Sequence, residues 1–270
     1  PVCARTFSHN WTGNVNTDWF NAGNWGPGTV PTILDGAYIP AGRPNYPLIN
    51  AAGARCSHLT IEPGASVSMD ASTSYILQVS GDWINNGTFN RGVGTVEFNG
   101  NNALQNIAGA STTDFYVLRV DKGSANNILD AVAQITLNAA VDAPLALISG
   151  TFRLSNAAST ITAITANGQT TANALGLNKR IWVSAGTLNV NSRWRINHGE
   201  LRITGGTVNI GNANNMELDY LNSGAIILEG GALNVSAGIW GNASNQSSTG
   251  IIAISGGTMT VGVFSNGFAR

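Results

Sequence analysis

The sequence predicts an all-β fold, a right-handed parallel β-helix with an irregular Trp/Pro-rich N-terminal cap, and three observations carry that expectation. The first is composition. The 270 residues include 33 Gly and 33 Asn but only 2 Lys, and 10% of the chain is charged. A chain so poor in helix formers is not built from helices, and 43% hydrophobic content excludes disorder. The second is a repeat: LALISGTFRL at 145–154, IWVSAGTLNV at 181–190, LRITGGTVNI at 201–210, IILEGGALNV at 226–235 and IAISGGTMTV at 252–261. The third is the period inside each copy. Apolar residues alternate, as on a strand with one buried face, and a small–Gly pair breaks the alternation at a corner.

From the N-terminus, residues 1–55 read as the cap. They hold Trp11, Trp19 and Trp25 and most of the prolines, and an uncapped solenoid end would expose core and strand edges. Residues 56–270 read as the β-helix. Its first half is a looser version of the repeat, with strands expected at His58–Ile61, Tyr75–Val79, Gly94–Phe98, Phe115–Val120 and Ile135–Leu137. Aligning the five copies on Gly150, Gly186, Gly206, Gly231 and Gly257 puts their apolar residues in shared columns. Leu201, Ile203, Val208 and Ile210 are then core, with Leu228 and Leu233 one coil above. Residues 155–180 and 211–224 read as loops leaving the coil. The right hand follows the usual preference of parallel crossovers.

The charge balance excludes some functions. Formal net charge is −1, which gives no basic surface for nucleic acid. No run of about 18 apolar residues marks a membrane span. The opening PVCARTFSHN lacks a signal-peptide pattern, so the sequence reads as a mature or excised piece of a longer protein. A regular coil at Gly257–Val261 without a polar cap after it is expected to be covered, either by further coils or by head-to-tail stacking on another copy.

Cys3 and Cys56 fit an extracellular disulfide joining the N-terminus to the first coil; two buried thiols are the other reading. Glu217 and Asp219, in MELDYL, fall on one outer face at a separation that could serve acid–base work, as a polysaccharide lyase or glycoside hydrolase needs. Arg193 and Arg195 precede them by 24 residues, close to one coil, and a surface ion-pair ladder accounts for the four as well. Arg180 and Glu200 share a column and form a second such pair. Trp11, Trp19 and Trp25 serve either as a sugar-stacking platform or as a hydrophobic plug. Trp182 falls in an outward column, as an exposed contact. Asp121, Asp130 and Asp142 are the nearest approach to a Ca²⁺ cluster, but no G-G-x-G-x-D repeat is present and no cofactor is expected. The Thr column Thr187, Thr207, Thr258 is interrupted at Ala232, which argues against ice binding. The adjoining Asn189, Asn209 and Asn234 fit a hydrogen-bonded ladder.

Trp11-Thr12-Gly13, Thr17-Asp18-Trp19, Asn24-Trp25, Val30-Pro31, Ile39-Pro40, Pro47-Leu48-Ile49, Cys56 and Leu59-Thr60-Ile61 form a pattern, continued by Leu77-Gln78-Val79-Ser80-Gly81, Asn86-Gly87-Thr88-Phe89 and Gly94-Thr95-Val96-Glu97-Phe98. Over about residues 11–120 it resembles the opening module of large secreted Bacteroidota surface proteins, many of them repetitive adhesins and some gliding-related. The resemblance implies export by the type 9 secretion system and a cell-surface location. It supplies no catalytic set. The expected function is therefore a non-enzymatic stalk, fibre or adhesin module, partnered by its own coils, by the secretion machinery and by surface glycans. A carbohydrate-active enzyme or glycan-binding module is the alternative.

Overall fold

The computed structural model describes residues 8–137, 139, 141–164, 174–192, 194–211, 217–221, 223–241 and 250–264. It is a parallel β-solenoid: every pairing between its strands is parallel, and each strand stacks on its counterpart one coil along. The only helix among the described residues is one 3₁₀ turn, Ala22–Asn24.

Each coil turns through three faces. The first is continuous through the chain, from His9–Asn10, Ala37–Ile39, Leu59–Ile61, Trp83–Asn85, Leu104–Ala108 and Ile128–Ala131 to the second half of Leu145–Leu154. It goes on through Lys179–Val183, Glu200–Ile203, Ala225–Leu228 and Ile251–Ile254. The second face starts with Leu48–Ile49, Ser66–Met69 and Thr88–Asn90. Later coils form it from Thr113–Phe115, Ile135–Leu137, Thr160–Ile164, Thr187–Val190, Thr207–Ile210 and the first halves of Ala232–Gly241 and Thr258–Phe264. The third comprises Ala54–Cys56, Ile76–Val79, Thr95–Phe98, Val117–Asp121 and the first half of Leu145–Leu154, and Trp194–Asn197 and Glu217–Leu221 take the same place in later coils.

Period-two alternation puts one set of side chains inside. Ile181, Leu201 and Ile226 stack in one inward column, Val183, Ile203 and Leu228 in the next, and Leu188, Val208 and Leu233 across the corner. All are at most 3% exposed. Each such side chain contributes about 1.5–3 kcal/mol by leaving water. The corner between these faces needs glycine. Gly206 and Gly231 have φ of 67° and 69°, and a Cβ on either would lie within 2.5 Å of the carbonyl oxygen of the glycine one coil below.

Three expectations are corrected. The copy at 145–154 belongs to a different corner: Phe152 and Leu154 stack under Ile181 and Val183 on the first face, not under Leu188 and Val190. The same apolar–small–Gly–apolar string serves the third-to-first corner there and the first-to-second corner in later coils, so the alignment ran one face out of phase. Residues 155–180 and 211–224 are not wholly loops, since Thr160–Ile164 is a second-face strand and Glu217–Leu221 a third-face strand. The N-terminal segment is also more regular than the irregular cap expected. His9–Asn10 and Ala37–Ile39 already pair in parallel as the first two strands of the first face.

One cation lies in the core. Lys122 is fully buried, its Nζ donates to Gln105 Oε1 at 2.6 Å, and the Gln105 amide nitrogen donates to the carbonyls of Val79 and Gly81. Gly150 leaves room for the Lys122 stem, because a Cβ there would lie 2.5 Å from Lys122 Cβ. Burial, only partly offset by the Asp82 charge, lowers the ammonium to a pKa of about 8 from 10.5. Below about pH 8 folded and unfolded chains both hold this proton; between 8 and 10.5 the unfolded chain holds more. Stability is therefore expected to rise with pH in that window, by up to about 1.4 kcal/mol per unit. The buried Cys56 thiol, pushed upward by desolvation, opposes this above pH 9. Urea unfolding of the protein and of Lys122→Met, compared from pH 7 to 10, isolates the lysine: the difference in stability between them shifts in favour of the parent as pH rises.

Candidate functional site

The outer side of the first face carries an unbroken column of polar and charged residues. In register from coil to coil stand Asn106, Asp130, Arg153, Trp182 and Arg202. Asp130 is 2% exposed; it accepts hydrogen bonds from Arg153 Nη2 and from the Ser155 hydroxyl. That bond holds the Arg153 guanidinium above its ordinary pKa. Arg202 closes the other end with a two-pronged contact to Glu229, Nε to Oε2 at 2.7 Å and Nη2 to Oε1 at 3.0 Å. It too is raised, first by that hydrogen bond.

Trp182 lies between the two arginines. The guanidinium carbon of Arg153, one coil before, is 4.8 Å from the ring centroid, and that of Arg202, one coil after, is 5.2 Å away. The indole N–H donates to Thr204 Oγ1 at 2.8 Å. Cation–π contact thus occupies the ring from both neighbouring coils, so Trp182 is not an open sugar platform. It joins coils.

Of the two readings of the cap tryptophans, burial favours the hydrophobic plug. Trp11, Trp19 and Trp25 are 0%, 0% and 2% exposed. Trp25 packs edge-to-face on Trp11 and Trp19, with centroids 5.0 and 4.8 Å away. Trp11 Nε1 donates to the Asn45 carbonyl and Trp25 Nε1 to the Trp19 carbonyl. Buried Asn24 fixes the loop around them, its side-chain oxygen accepting the backbone N–H of Val15 and Asn16. The rings plug the first coils and present nothing to a ligand.

Other charges also pair between coils. Arg180 Nε is 2.8 Å from Glu200 Oε1, Arg119 Nε is 3.1 Å from Glu97 Oε2 and Arg91 Nε is 2.8 Å from Asp114 Oδ2. Arg195 stacks in register with Asp219, and Glu217 with Gly238. The side chains of Glu217 and Asp219 lie outside the described residues, as does Arg193. On the second face Asn209 donates to Asn189 and Asn234 to Asn209, each at 2.9 Å. The aspartates are not gathered for Ca²⁺: Asp130 stands on the first face with Arg153, while Asp121 ends a third-face strand and accepts from Ser149. Among the described residues no group of three or more His, Cys, Asp or Glu could hold a metal ion. Cys56 is a free thiol facing the interior at 0% exposure; Cys3 lies outside the described residues. A bridge to Cys56 would have to enter the core.

Residues 10–123 match a protein family described as a domain of unknown function (DUF8693). The match covers less than half of the chain. No curated protein matches. No solved structure matches.

Sequence reasoning missed the Asp130–Arg153–Trp182–Arg202 column. Its members are separated by 23, 29 and 20 residues, so no fixed period exposes it. Its two ends should respond differently to truncation. Arg153→Ala leaves the Asp130 carboxylate buried without its cation and should cost about 3 kcal/mol. Arg202→Ala, whose Glu229 partner has a side chain 35% exposed, should cost under about 1 kcal/mol in ion-pair energy. Urea unfolding of the two variants measures both.

Proposed function

We propose that this chain is a non-enzymatic structural or adhesive β-helix module of a bacterial cell-surface protein, a length of stalk or fibre that extends by coil-on-coil stacking. One observation carries the proposal. Ile254 occupies the inward column of Val183, Ile203 and Leu228, which are all fully buried, yet Ile254 is 54% exposed. Ile251 beside it is 57% exposed, and Ile252 and Met259 are only half-buried. The strand Ile251–Ile254 has a neighbour on one side only among the described strands. An apolar strand edge of this kind takes another parallel coil.

The commitment of the charged side chains supports the same reading. Glu97, Asp114, Asp130, Glu200 and Glu229 are each held by an arginine, an arrangement that stiffens a stack and leaves these carboxylates unavailable as acids or bases. The resemblance of residues 11–120 to secreted Bacteroidota modules supports an extracellular location, export through the type 9 system and a place in an adhesin or gliding-related protein. In this reading the partners are further coils and surface glycans, and no cofactor takes part.

The test is association of the purified chain. Sedimentation velocity should show concentration-dependent assembly, and Ile254→Asp should abolish it without lowering the thermal unfolding temperature. Equal assembly by both proteins, or a glycan-cleaving activity lost in a Glu217→Gln/Asp219→Asn variant, would overturn the proposal.

A further inference from the structure

The corner between the third and first faces carries a feature that coil stacking does not require. Among the described residues the left-handed backbone region is occupied by 14 glycines and by three other residues, Asn178, His198 and Ser223, with φ of 61°, 64° and 64°. Those three precede Lys179–Val183, Glu200–Ile203 and Ala225–Leu228, which pair in parallel on successive coils. They therefore form one column at one corner. Glycine holds this conformation without cost, and at every other such position among the described residues the chain uses glycine. Here it carries an amide, an imidazole and a hydroxyl in a conformation that side chains disfavour.

All three residues line a single cleft of about 160 Å³, together with Lys179, Arg180 and Glu200. Arg180 and Glu200 neutralise each other across it at 2.8 Å. Lys179 is different. It is half-buried, and among the described residues its ammonium has neither a carboxylate nor a hydrogen-bond partner. Desolvation holds it below its ordinary pKa. A half-buried cation without an anion is a cost to the folded chain, which a bound anion would offset. The same cleft is lined by Asn178, His198 and Ser223, whose amide, ring and hydroxyl are of types that hydrogen-bond sugar hydroxyls. Among the described residues no Trp, Tyr or Phe lines the cleft, so recognition there is polar.

We infer that this corner is a binding site for a carboxylated sugar, with Lys179 taking the carboxylate and Asn178, His198 and Ser223 taking ring hydroxyls. The inference rests on the adhesive reading only in giving that reading a ligand. A solenoid that fails to assemble could still bind here, and one that assembles could fail to bind.

The experiment is an NMR titration of the full chain with sodium glucuronate, and with glucose and sodium acetate as separate arms. Glucuronate should shift the amide signals of residues at this corner, and glucose or acetate alone should bind about tenfold more weakly. Lys179→Met should lose about tenfold in glucuronate affinity with no loss of thermal stability, and Lys179→Arg should restore part of the affinity. Shifts centred elsewhere, glucuronate binding no tighter than acetate or glucose, or full affinity in Lys179→Met would each overturn the inference. Acetate binding as tight as glucuronate would show an anion contact without sugar recognition.

Discussion

Parallel stacking in register is the constraint on which the rest depends. When coils repeat in one direction, each residue lies over its counterpart one coil away, about 4.8 Å along the stack. A column must then be made of residues that tolerate that closeness. Aliphatic columns satisfy it inside the coil. Outside it, Asn189, Asn209 and Asn234 satisfy it by passing one amide hydrogen bond along the ladder, and Arg180 and Glu200 by opposite charge. At the Gly206–Gly231 corner the approach of stacked backbones admits no side chain at all. Trp182 between Arg153 and Arg202 is the same rule met with a π face.

The rule also shows where the stack is costly. Lys122 and Gln105 enter the interior in place of aliphatic residues, and their polar atoms are satisfied by one another and by the carbonyls of Val79 and Gly81. At the N-terminal end, Trp11, Trp19 and Trp25 fill the space that a preceding coil would fill. At the last described coil no described residue plays that part for Ile254, which is 54% exposed.

Much of the fold was legible because periodicity survives variable coil length. The copies at 181–190, 201–210, 226–235 and 252–261 stack in the columns that their alternation predicts. The copy at 145–154 misled because two corners share one string of residue types, and a string carries no label for its face. Less of the site was legible. Arg180 over Glu200 and Trp182 over Arg202 could be read from the repeat, whereas Arg153 sits in the copy aligned one face out of phase and Asp130 in no copy at all. The tryptophans invited a ligand reading because the sequence shows an aromatic but not the coil that covers it. Asn178, His198 and Ser223 gave no signal, since left-handed geometry at a non-glycine residue is visible only in the backbone.

A module held together this way gains little from a deep pocket and much from repetition: its surface is a set of columns, and whatever binds it meets columns. The most direct test is therefore of the register itself. On a Cys3→Ser/Cys56→Ala background, Asn189→Cys with Asn209→Cys places two thiols on adjacent coils, and their Cα separation of about 4.8 Å falls within disulfide range. Asn189→Cys with Asn234→Cys places them two coils apart, about 10 Å, beyond it. Mass spectrometry after mild oxidation should find the first pair bridged and the second reduced; a bridged 189–234 pair, or an unbridged 189–209 pair, would contradict the stacking from which every column here is derived.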